Sequence, residues 1–313
     1  MESIRAVVVD PDTEKRLTIQ NVNPPSPLSS EAVIRVRAVS LNLGEVRFSM
    51  NAEAGWRPGW DLAGVVERAA SDGSGPPVGA RVVGFVPSGA WAEQVAVPTH
   101  ALAIVPDVVS FAQASTLPVA GLTALYSLER NGSLLGQSVL ITGASGGVGH
   151  LGCTLARHMG AHVVASVRRP ERAQHARDAG AHEVVVGEDI AGAAAFGPYH
   201  MIVESVGSET LTKALSMLGP DGMCVTCGVS AGAEVTLNAR DFFRIGAAKL
   251  YGFILFHEVK AYPASAGLSR LAQLVADGIL KPQIEVEAPW AAIADVAQRF
   301  FNREIAGKAV LLL

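Results

Sequence analysis

The chain has 313 residues, which is long enough for two domains of the usual ~100–200 residues each. Its formal net charge of −4 gives no general attraction to nucleic acid or to an anionic membrane surface, so neither is an expected partner. Three cysteines are too few for a disulfide framework, which fits a reducing cytoplasm. No apolar run reaches the ~18 residues of a membrane span, and the sequence does not open on a charged and then apolar signal segment. Together with an apolar share of 49% and few aromatic residues, which are typical of an ordinary soluble α/β enzyme, these features predict a cytoplasmic protein.

The first third of the chain predicts a β-rich domain. Clusters of proline, glycine and serine, such as 23–27 and 71–77, separate short stretches that are rich in β-branched residues. This pattern is typical of antiparallel strands and turns. From Ser110 the pattern becomes helical, over 111–117 and again over 121–130. The predicted strands are 4–9, 17–21, 32–40, 63–69, 81–86 and 91–97.

Beyond residue 138, apolar strands alternate with helices. Parallel strands that are joined by helices form a doubly wound α/β sheet. The predicted strands of this sheet are 138–142, 162–167, 183–186, 201–205, 223–227 and 250–256, and the predicted helices are 150–159, 170–179 and 209–217. Helices over 262–277 and 290–302 and strands over 283–288 and 308–313 follow. We expect the last strand to rejoin the first domain.

A turn of small residues connects the strand 138–142 to the next helix. It contains Ala144-Ser145-Gly146-Gly147-Val148-Gly149, the G-x-G-x-x-G pattern with alanine in the first place. Such a turn holds a dinucleotide pyrophosphate on backbone N–H groups at a helix start, where a Cβ would keep the backbone too far away. Because the motif lies between a strand and a helix, as it must, it favours a dinucleotide site over a purely structural turn.

The residues after the second strand of this unit indicate which dinucleotide binds. NAD sites usually carry Asp or Glu there to bond the ribose 2′-hydroxyl. This chain has Ser166, Val167, Arg168 and Arg169 instead, with no acid before Glu171. Guanidinium groups suit a 2′-phosphate, although the two arginines could also form only a solvated turn. We predict NADP(H) as the cofactor.

The sequence predicts no metal site. A catalytic zinc needs three protein ligands, usually thiolates and imidazoles. Residues 1–106 contain no cysteine and one histidine, His100. Cys224 and Cys227 have C-x-x-C spacing in a predicted buried strand, with no second pair, which favours packing over metal or redox chemistry.

Candidate acid–base groups are few. Asn42 and Glu45 lie in the predicted loop after the strand 32–40, and Asp61 lies in the predicted turn 57–61. They could face a nicotinamide, but a cap, a turn bond or a solvated charge explains each equally well. The cofactor performs hydride transfer, and the protein mainly supplies binding and orientation. The lack of an obvious acid therefore favours a conjugated acceptor, because its reduction can take the proton from solvent.

Several segments together resemble the zinc-free branch of the medium-chain dehydrogenase/reductases, the quinone oxidoreductase or zeta-crystallin-like group. They are Ser40-Leu41-Asn42, 58–66, 79–84, 117–124 and the glycine turn, and the likeness covers essentially the whole chain. It implies a Rossmann-type doubly wound parallel sheet domain at 112–256, inserted into a β-rich GroES-like catalytic domain formed by 1–111 and 257–313. The cofactor is then expected in the cleft, and a homodimer is expected.

The resemblance also implies roles for individual residues. Asn42, Glu45 and Asp61 are the catalytic candidates, and Asn42 matches a family position beside the nicotinamide. The implied cofactor contacts are Thr123 at the nicotinamide or its phosphates; Ser145, Gly146, Gly147 and Val148 at the pyrophosphate; Ser166, Arg168 and Arg169 at the 2′-phosphate; Val206 near the ribose or nicotinamide; and Cys227, Gly228, Val229, Phe253, Ile254 and Leu255 around the nicotinamide.

The chain departs from the family pattern in its catalytic region. The common Asn-x-x-Asp-x-x-x-Arg pattern reads here as Asn42, Glu45 and Ser49, with Arg47 displaced, and Asp61 stands where Glu is typical. We predict an NADPH-dependent, zinc-free oxidoreductase that reduces a quinone, an enone or an enoyl thioester. The alternatives are a zinc-free alcohol dehydrogenase and a non-catalytic NADPH-binding sensor or structural protein.

Overall fold

Two compact units make up the computed structural model, which describes residues 3–313. The first unit contains Met1–Leu122, Val259–Gly278 and Pro282–Leu313. The second contains Thr123–Glu258 with Ile279–Lys281. The domain limits 1–111, 112–256 and 257–313 stay predictions.

The secondary structure alternates as follows along the chain. The strands are β1 (Ile4–Val9), β2 (Leu17–Val22), β3 (Glu31–Ser40), β4 (Asp61–Arg68), β5 (Arg81–Phe85), β6 (Gln94–Pro98), β7 (Leu102–Ile104), β8 (Ser138–Ile141), β9 (His162–Val167), β10 (Glu183–Val186), β11 (Tyr199–Glu204), β12 (Leu218–Thr226), β13 (Lys249–Gly252), β14 (Ile284–Pro289) and β15 (Lys308–Leu312). The α-helices are α1 (Leu43–Ser49), α2 (Phe111–Ser115), α3 (Leu122–Leu128), α4 (Gly147–His158), α5 (Ala173–Asp178), α6 (Ser208–Ser216), α7 (Ala239–Arg244), α8 (Leu255–Glu258), α9 (Ala264–Ala276) and α10 (Ile293–Phe301).

The first unit is organised around the long strand β3. It pairs antiparallel with β4, β6 and β15 in a seven-stranded sheet of order β14-β15-β3-β4-β5-β7, with β6 also on β3. Because β15 pairs with β3, the carboxyl-terminal strand does rejoin the first domain, as predicted. Strands β1 and β2 form a separate antiparallel pair.

The second unit is a parallel sheet of six strands in the order β10-β9-β8-β11-β12-β13. Counted from β8, this is the 3-2-1-4-5-6 order of the Rossmann fold, in which ligands bind at the carboxyl ends of the strands. Strand β8 is buried at Val139, Leu140 and Ile141, as expected of a central parallel strand. The predicted fold class is confirmed.

The structure corrects three local predictions near the predicted catalytic residues and the glycine turn. The predicted loop after β3 is helix α1, because Asn42 and Glu45 form a reciprocal capping box. Asp61 does not lie in a turn but begins β4. Helix α4 begins at Gly147 rather than His150, so the last glycines of the turn belong to its first turn.

The predicted strand 250–256 is also only partly right. Strand β13 ends at Gly252, and the Phe253 N–H makes one further bond to the Thr226 carbonyl oxygen at 2.9 Å. The chain then coils into α8, where the N–H groups of His257 and Glu258 both donate to the Ile254 carbonyl oxygen. Phe253 and Leu255 are buried in this bend, whereas Ile254 is 64% exposed.

None of the helices within residues 3–313 combines the length and the apolar character that crossing a bilayer requires.

The start of α4 generates a test of the fold. A Cβ on Gly149 would lie 2.6 Å from the Ala144 Cα and closer still to the Gly143 carbonyl oxygen, and backbone atoms cannot move aside. We expect Gly149→Ala to destabilise the protein by about 1–3 kcal/mol, the usual cost of overpacking. Chemical denaturation would measure the change in the free energy of unfolding.

Gly152→Ala, one turn further along α4, is the matched control. A Cβ there would meet its nearest atoms at 3.7 Å or more. Alanine is the better helix former, so this variant should gain up to about 1 kcal/mol. Equal losses in the two variants would contradict a close approach specific to Gly149.

Candidate active site

The glycine turn brings the start of α4 against the end of β8. Gly143 has a φ of +59°, a conformation that favours glycine, and its carbonyl oxygen accepts the Gly146 N–H at 2.9 Å. Gly146 caps the 12-residue helix, and no side chain among residues 3–313 bonds the N–H groups at this cap. Ser145, Gly147 and Val148 are half-buried. A helix start that lacks a side-chain cap among the described residues and is held close to a strand fits a pyrophosphate, whose oxygens would accept the first N–H groups of the helix.

A buried carboxyl group organises the neighbouring strand end. Glu204, the last residue of β11, accepts the N–H of Val206 at 2.7 Å and that of Gly207 at 3.0 Å. It also accepts the Thr142 hydroxyl at 3.2 Å, and that hydroxyl oxygen accepts the Ser205 N–H. Burial raises the pKa of Glu204. The sequence interpretation missed Glu204, although an acid directly before Ser-Val-Gly at a strand end was a usable signal.

The residues that follow β12 and β13 lie next along the same edge of the sheet. The Cys227 N–H donates to the Glu204 carbonyl oxygen at 2.8 Å, and a Cβ on Gly228 would lie 2.9 Å from the Ser205 oxygen. Burial raises the pKa of the Cys227 thiol to about 12, so the thiolate is not available at neutral pH. Phe253 bonds to β12 as described above. Val229 is 48% exposed.

The structure therefore brings most of the predicted cofactor contacts to one edge of the sheet. The glycine turn, Val206, the segment 227–229 and Phe253 all follow the carboxyl ends of β8, β11, β12 and β13. A Cβ on Gly143 would lie 3.5 Å from Val206 Cγ2, so these two strand ends touch. Thr123 is the first residue of the second unit and is buried within α3.

The predicted phosphate-binding residues lie at the carboxyl end of β9, at the same edge. Ser166 is buried, and its carbonyl oxygen accepts the Ala144 N–H at 3.0 Å, which ties β9 to the glycine turn. Arg168 and Arg169 are exposed. Across residues 3–313 their guanidinium groups form no ion pair and no hydrogen bond. Two unpaired cations beside an uncapped helix start fit the 2′-phosphate of an adenine dinucleotide.

A second cluster of polar residues lies within the first unit, and it is buried. Lys308 Nζ donates to the Asn42 Oδ1 at 2.7 Å, to the Leu41 carbonyl oxygen at 3.0 Å and to Asp61 Oδ2 at 3.3 Å. Asn42 Nδ2 donates to Asp61 Oδ2 at 2.7 Å and lies 3.0 Å from Glu45 Oε1. The side chains of Lys308 and Asp61 are 3% and 0% exposed. We call Asn42, Glu45, Asp61 and Lys308 the buried polar network.

Further bonds fasten this network to its surroundings. Asp61 Oδ1 accepts the Val119 N–H at 3.0 Å, and the Ser40 hydroxyl lies 2.8 Å from Asp61 Oδ2. Asp61 thus bonds to β3, to β15 and to the π-helical segment Leu117–Gly121. Both carboxyl oxygens of Asp61 and both polar atoms of the Asn42 side chain are occupied by internal partners.

Glu45 differs from Asp61 because one of its carboxyl oxygens has no hydrogen-bond partner within residues 3–313. Glu45 Oε1 accepts the Asn42 N–H at 2.7 Å, whereas Glu45 Oε2 is buried and unbonded. Burial, followed by repulsion from Asp61, raises the pKa of Glu45 well above its usual range, and Lys308 and Asn42 only partly oppose this. With one lysine for two acids, a proton on Glu45 leaves the network neutral.

The structure thus brings the three predicted catalytic residues together, but inside the unit. Their catalytic role stays a prediction. The sequence interpretation missed Lys308, whose signal was a lone lysine at the start of the apolar strand Lys308–Leu313. Within residues 3–313, no three or more His, Cys, Asp and Glu side chains group in a way that could hold a metal ion.

The buried Glu45 predicts how stability depends on pH. Its folded-state pKa is raised above its ordinary 4.5, so folding favours the protonated form. The stabilisation is present at low pH and is lost as the pH rises from ~4.5 through the folded-state pKa, with a slope of up to about 1.4 kcal/mol per pH unit. Glu45→Gln, which is neutral and of the same shape, should flatten this part of the profile.

Chemical denaturation at a series of pH values would measure the effect. Glu53→Gln makes the same change at an exposed position of the first unit and should leave the wild-type profile intact. If Glu45→Gln keeps the full slope, Glu45 is not the group that carries the proton.

Comparisons with known proteins agree with this geometry. Residues 29–107 match the family model for the alcohol dehydrogenase GroES-like domain, and residues 147–270 match the model for zinc-binding dehydrogenase. The human quinone oxidoreductase is 28% identical over 305 residues, which span 92% of this chain and 91% of that protein. A 2-haloacrylate reductase from Burkholderia is 29% identical over 81% of this chain and 80% of its own length.

Solved structures extend the likeness to the whole fold. A mycobacterial protein complexed with NADPH superposes with a TM-score of 0.89 at 25% identity, and the match covers 99% of this chain and 100% of the other. These matches confirm the resemblance to the medium-chain dehydrogenase/reductases that the sequence indicates. They comprise the two family models, the relatives and the shared fold. The chain belongs to the medium-chain dehydrogenase/reductases, a superfamily of dinucleotide-binding oxidoreductases, and within it to the quinone oxidoreductase branch.

Proposed function

We propose that this oxidoreductase uses NADPH to reduce a small conjugated acceptor: a quinone, an enone or an enoyl thioester. The observation that carries the cofactor assignment is a pair of exposed arginines, Arg168 and Arg169, whose guanidinium groups have no partner within residues 3–313 and which follow β9 at the sheet edge that carries the glycine turn. No carboxylate stands at the end of β9 to bond a ribose 2′-hydroxyl or to repel a 2′-phosphate.

In this proposal the second unit binds and orients the cofactor, which supplies the hydride when it is bound. The N–H groups at the start of α4 hold the pyrophosphate, and Glu204 fixes the loop 205–207 beside it. The bend 253–255, with buried Phe253 and Leu255, keeps water from the nicotinamide. The buried polar network holds Asn42 and the start of α1 rigid in the first unit.

The class of acceptor is inferred from the source of the proton that the acceptor takes up on reduction. All polar atoms of Asn42 and Asp61 are occupied, and the unbonded oxygen of Glu45 is buried, so no group of the network is free to protonate a carbonyl oxygen. A conjugated acceptor can take that proton from solvent after hydride transfer. The names of two relatives, a quinone oxidoreductase and a 2-haloacrylate reductase, support such acceptors.

Steady-state kinetics test both parts of the proposal. NADPH oxidation should be measured against matched panels of quinones, enones, enoyl thioesters and unconjugated ketones, with NADH in parallel. We expect turnover with at least one conjugated class, little with unconjugated ketones, and a lower KM for NADPH than for NADH. Tight NADPH binding without turnover of any acceptor would overturn the reductase assignment.

The double variant Arg168→Ala/Arg169→Ala tests the phosphate site in the same assay. Loss of charge-assisted bonds worth about 1.5–3 kcal/mol should raise the KM for NADPH about 10- to 100-fold and leave that for NADH nearly unchanged. Arg177→Ala, an exposed position on α5, removes a positive charge nearby and should have little effect. An unchanged KM for NADPH would show that the phosphate lies elsewhere.

We also propose that a second copy of the chain is the partner. Among residues 3–313, strand β13 pairs only with β12 and leaves its other edge open, and open edges pair readily with another strand. Leu250 on this strand is 46% exposed, and Phe243 on the preceding helix α7 is 70% exposed. Exposed apolar groups beside an open edge fit a self-complementary interface.

Sedimentation velocity would test this association. The wild type should sediment at about twice the chain mass of 32.6 kDa, and Leu250→Lys should shift it towards the monomer because a charge would enter an apolar contact. Val78→Lys, at a 64% exposed position of the first unit, is the control. A monomeric wild type would refute the association.

A further inference from the structure

A groove of about 620 Å³ lies on the surface of the first unit. It is lined by residues of β1, β3 and β4 and by the segment that leads into β6. It shares no residue with the buried polar network or with the glycine turn. The proposed function gives this groove no role.

Four arginines distinguish the groove. Arg35 and Arg37 lie two residues apart on β3, so their side chains leave the same face of the strand. Arg5 comes from β1 and Arg68 from the end of β4. All four line the groove and all are exposed.

Two of these arginines are already neutralised. Arg5 donates to Glu93 Oε1 from both Nε, at 2.9 Å, and Nη2, at 2.7 Å, and its guanidinium lies 5.4 Å from the Trp290 ring. Arg35 pairs with Glu67, whose second oxygen accepts Gln94 Nε2 at 3.0 Å. Within residues 3–313, the acidic side chains of the lining are Glu67 and Glu93, and each is already paired with an arginine.

The other two arginines carry uncompensated charge. The side chains of Arg37 and Arg68 form no ion pair or hydrogen bond with any part of the chain from residue 3 to residue 313. Among the lining residues that the structure describes, from Ser3 onward, four guanidinium groups against two carboxylates give a net side-chain charge of +2 (4 − 2). A carboxylate on Leu313, which also lines the groove, would cancel at most one of these charges.

We propose that this groove binds a small organic molecule that carries at least two phosphate charges. Guanidinium groups recognise phosphate by paired, charge-assisted hydrogen bonds. The volume falls within the ~300–1,000 Å³ typical of small-molecule sites and greatly exceeds that of a single phosphate. Pro24, Pro25 and Trp290 give the lining an apolar part that suits an organic body between the phosphate groups. A concave site of this size fits a small molecule better than the flat surface of a folded partner.

Isothermal titration calorimetry at constant ionic strength tests the proposal, with inorganic pyrophosphate and fructose 1,6-bisphosphate as probes. Pyrophosphate can also bind the glycine turn, so two double variants are compared. Arg37→Gln/Arg68→Gln should weaken fructose 1,6-bisphosphate at least ~10-fold, as expected for the loss of charge-assisted bonds. Arg168→Ala/Arg169→Ala should change it less than ~2-fold.

Arg177→Gln is the control for a general change of charge, and thermal unfolding checks that each variant stays folded. The proposal is overturned if fructose 1,6-bisphosphate does not bind, if only Arg168→Ala/Arg169→Ala weakens it, or if all variants weaken it equally. A poly-glutamate peptide is titrated in parallel. Tighter binding of this peptide, lost in Arg37→Gln/Arg68→Gln, would instead assign the groove to an acidic protein segment.

Discussion

The ion pair between Lys308 and Asp61 joins parts of the chain that are 247 residues apart, and the first unit depends on it. A buried pair stabilises a fold only when its remaining polar atoms are also bonded, because removing two charges from water is costly. Here Asn42, Ser40 and the Val119 N–H complete the bonding of Asp61, and the Leu41 carbonyl oxygen completes that of Lys308. The network thereby fixes the register of β15 against β3. It also fixes where α1 begins, since its cap residue Asn42 is held from three sides.

The second unit uses backbone groups where the first uses side chains. Its central constraint is the close approach of Gly149 to the turn at Gly143 and Ala144, which leaves no room for a Cβ. This approach places the start of α4 at the end of β8, which β9 and β11 flank in the sheet. One strand away, the side-chain carboxyl group of Glu204 accepts the N–H groups of Val206 and Gly207. At both strand ends the constraint therefore acts on main-chain atoms, by close packing at Gly149 and by hydrogen bonds at Glu204.

Features of the fold that depend on short stretches of sequence could be predicted from the sequence alone. The glycine turn, the alternation of strands and helices, and the arginines after β9 all lie within short windows, so the doubly wound fold could be predicted. The buried polar network could not, because Lys308 meets Asp61 only through the pairing of β15 with β3. The start of α1 and the bend after Gly252 were predicted wrongly, as a loop and as part of a strand, although each lies within a short stretch of sequence. The Asn42–Glu45 capping box is a local signal that was overlooked, whereas Phe253–Phe256 is an apolar run whose helical turn is set by its surroundings.

Buried carboxyl groups occur in both units, and Glu204, Asp61 and Glu45 are not arranged as free acids. The carboxyl group of Glu204 accepts hydrogen bonds from backbone N–H groups, and that of Asp61 accepts hydrogen bonds from four donors. Glu45 holds the unbonded carboxyl oxygen of the network within residues 3–313, and burial and repulsion from Asp61 raise its pKa. The charges of Asp61 and Lys308 balance each other, so a proton on Glu45 keeps the network neutral. Transfer of that proton to an acceptor would leave two buried carboxylates against one lysine, an arrangement that the low dielectric of the interior disfavours. The same electrostatics that stabilise the first unit therefore oppose a role for Glu45 as proton donor, and they favour acceptors that are protonated by solvent.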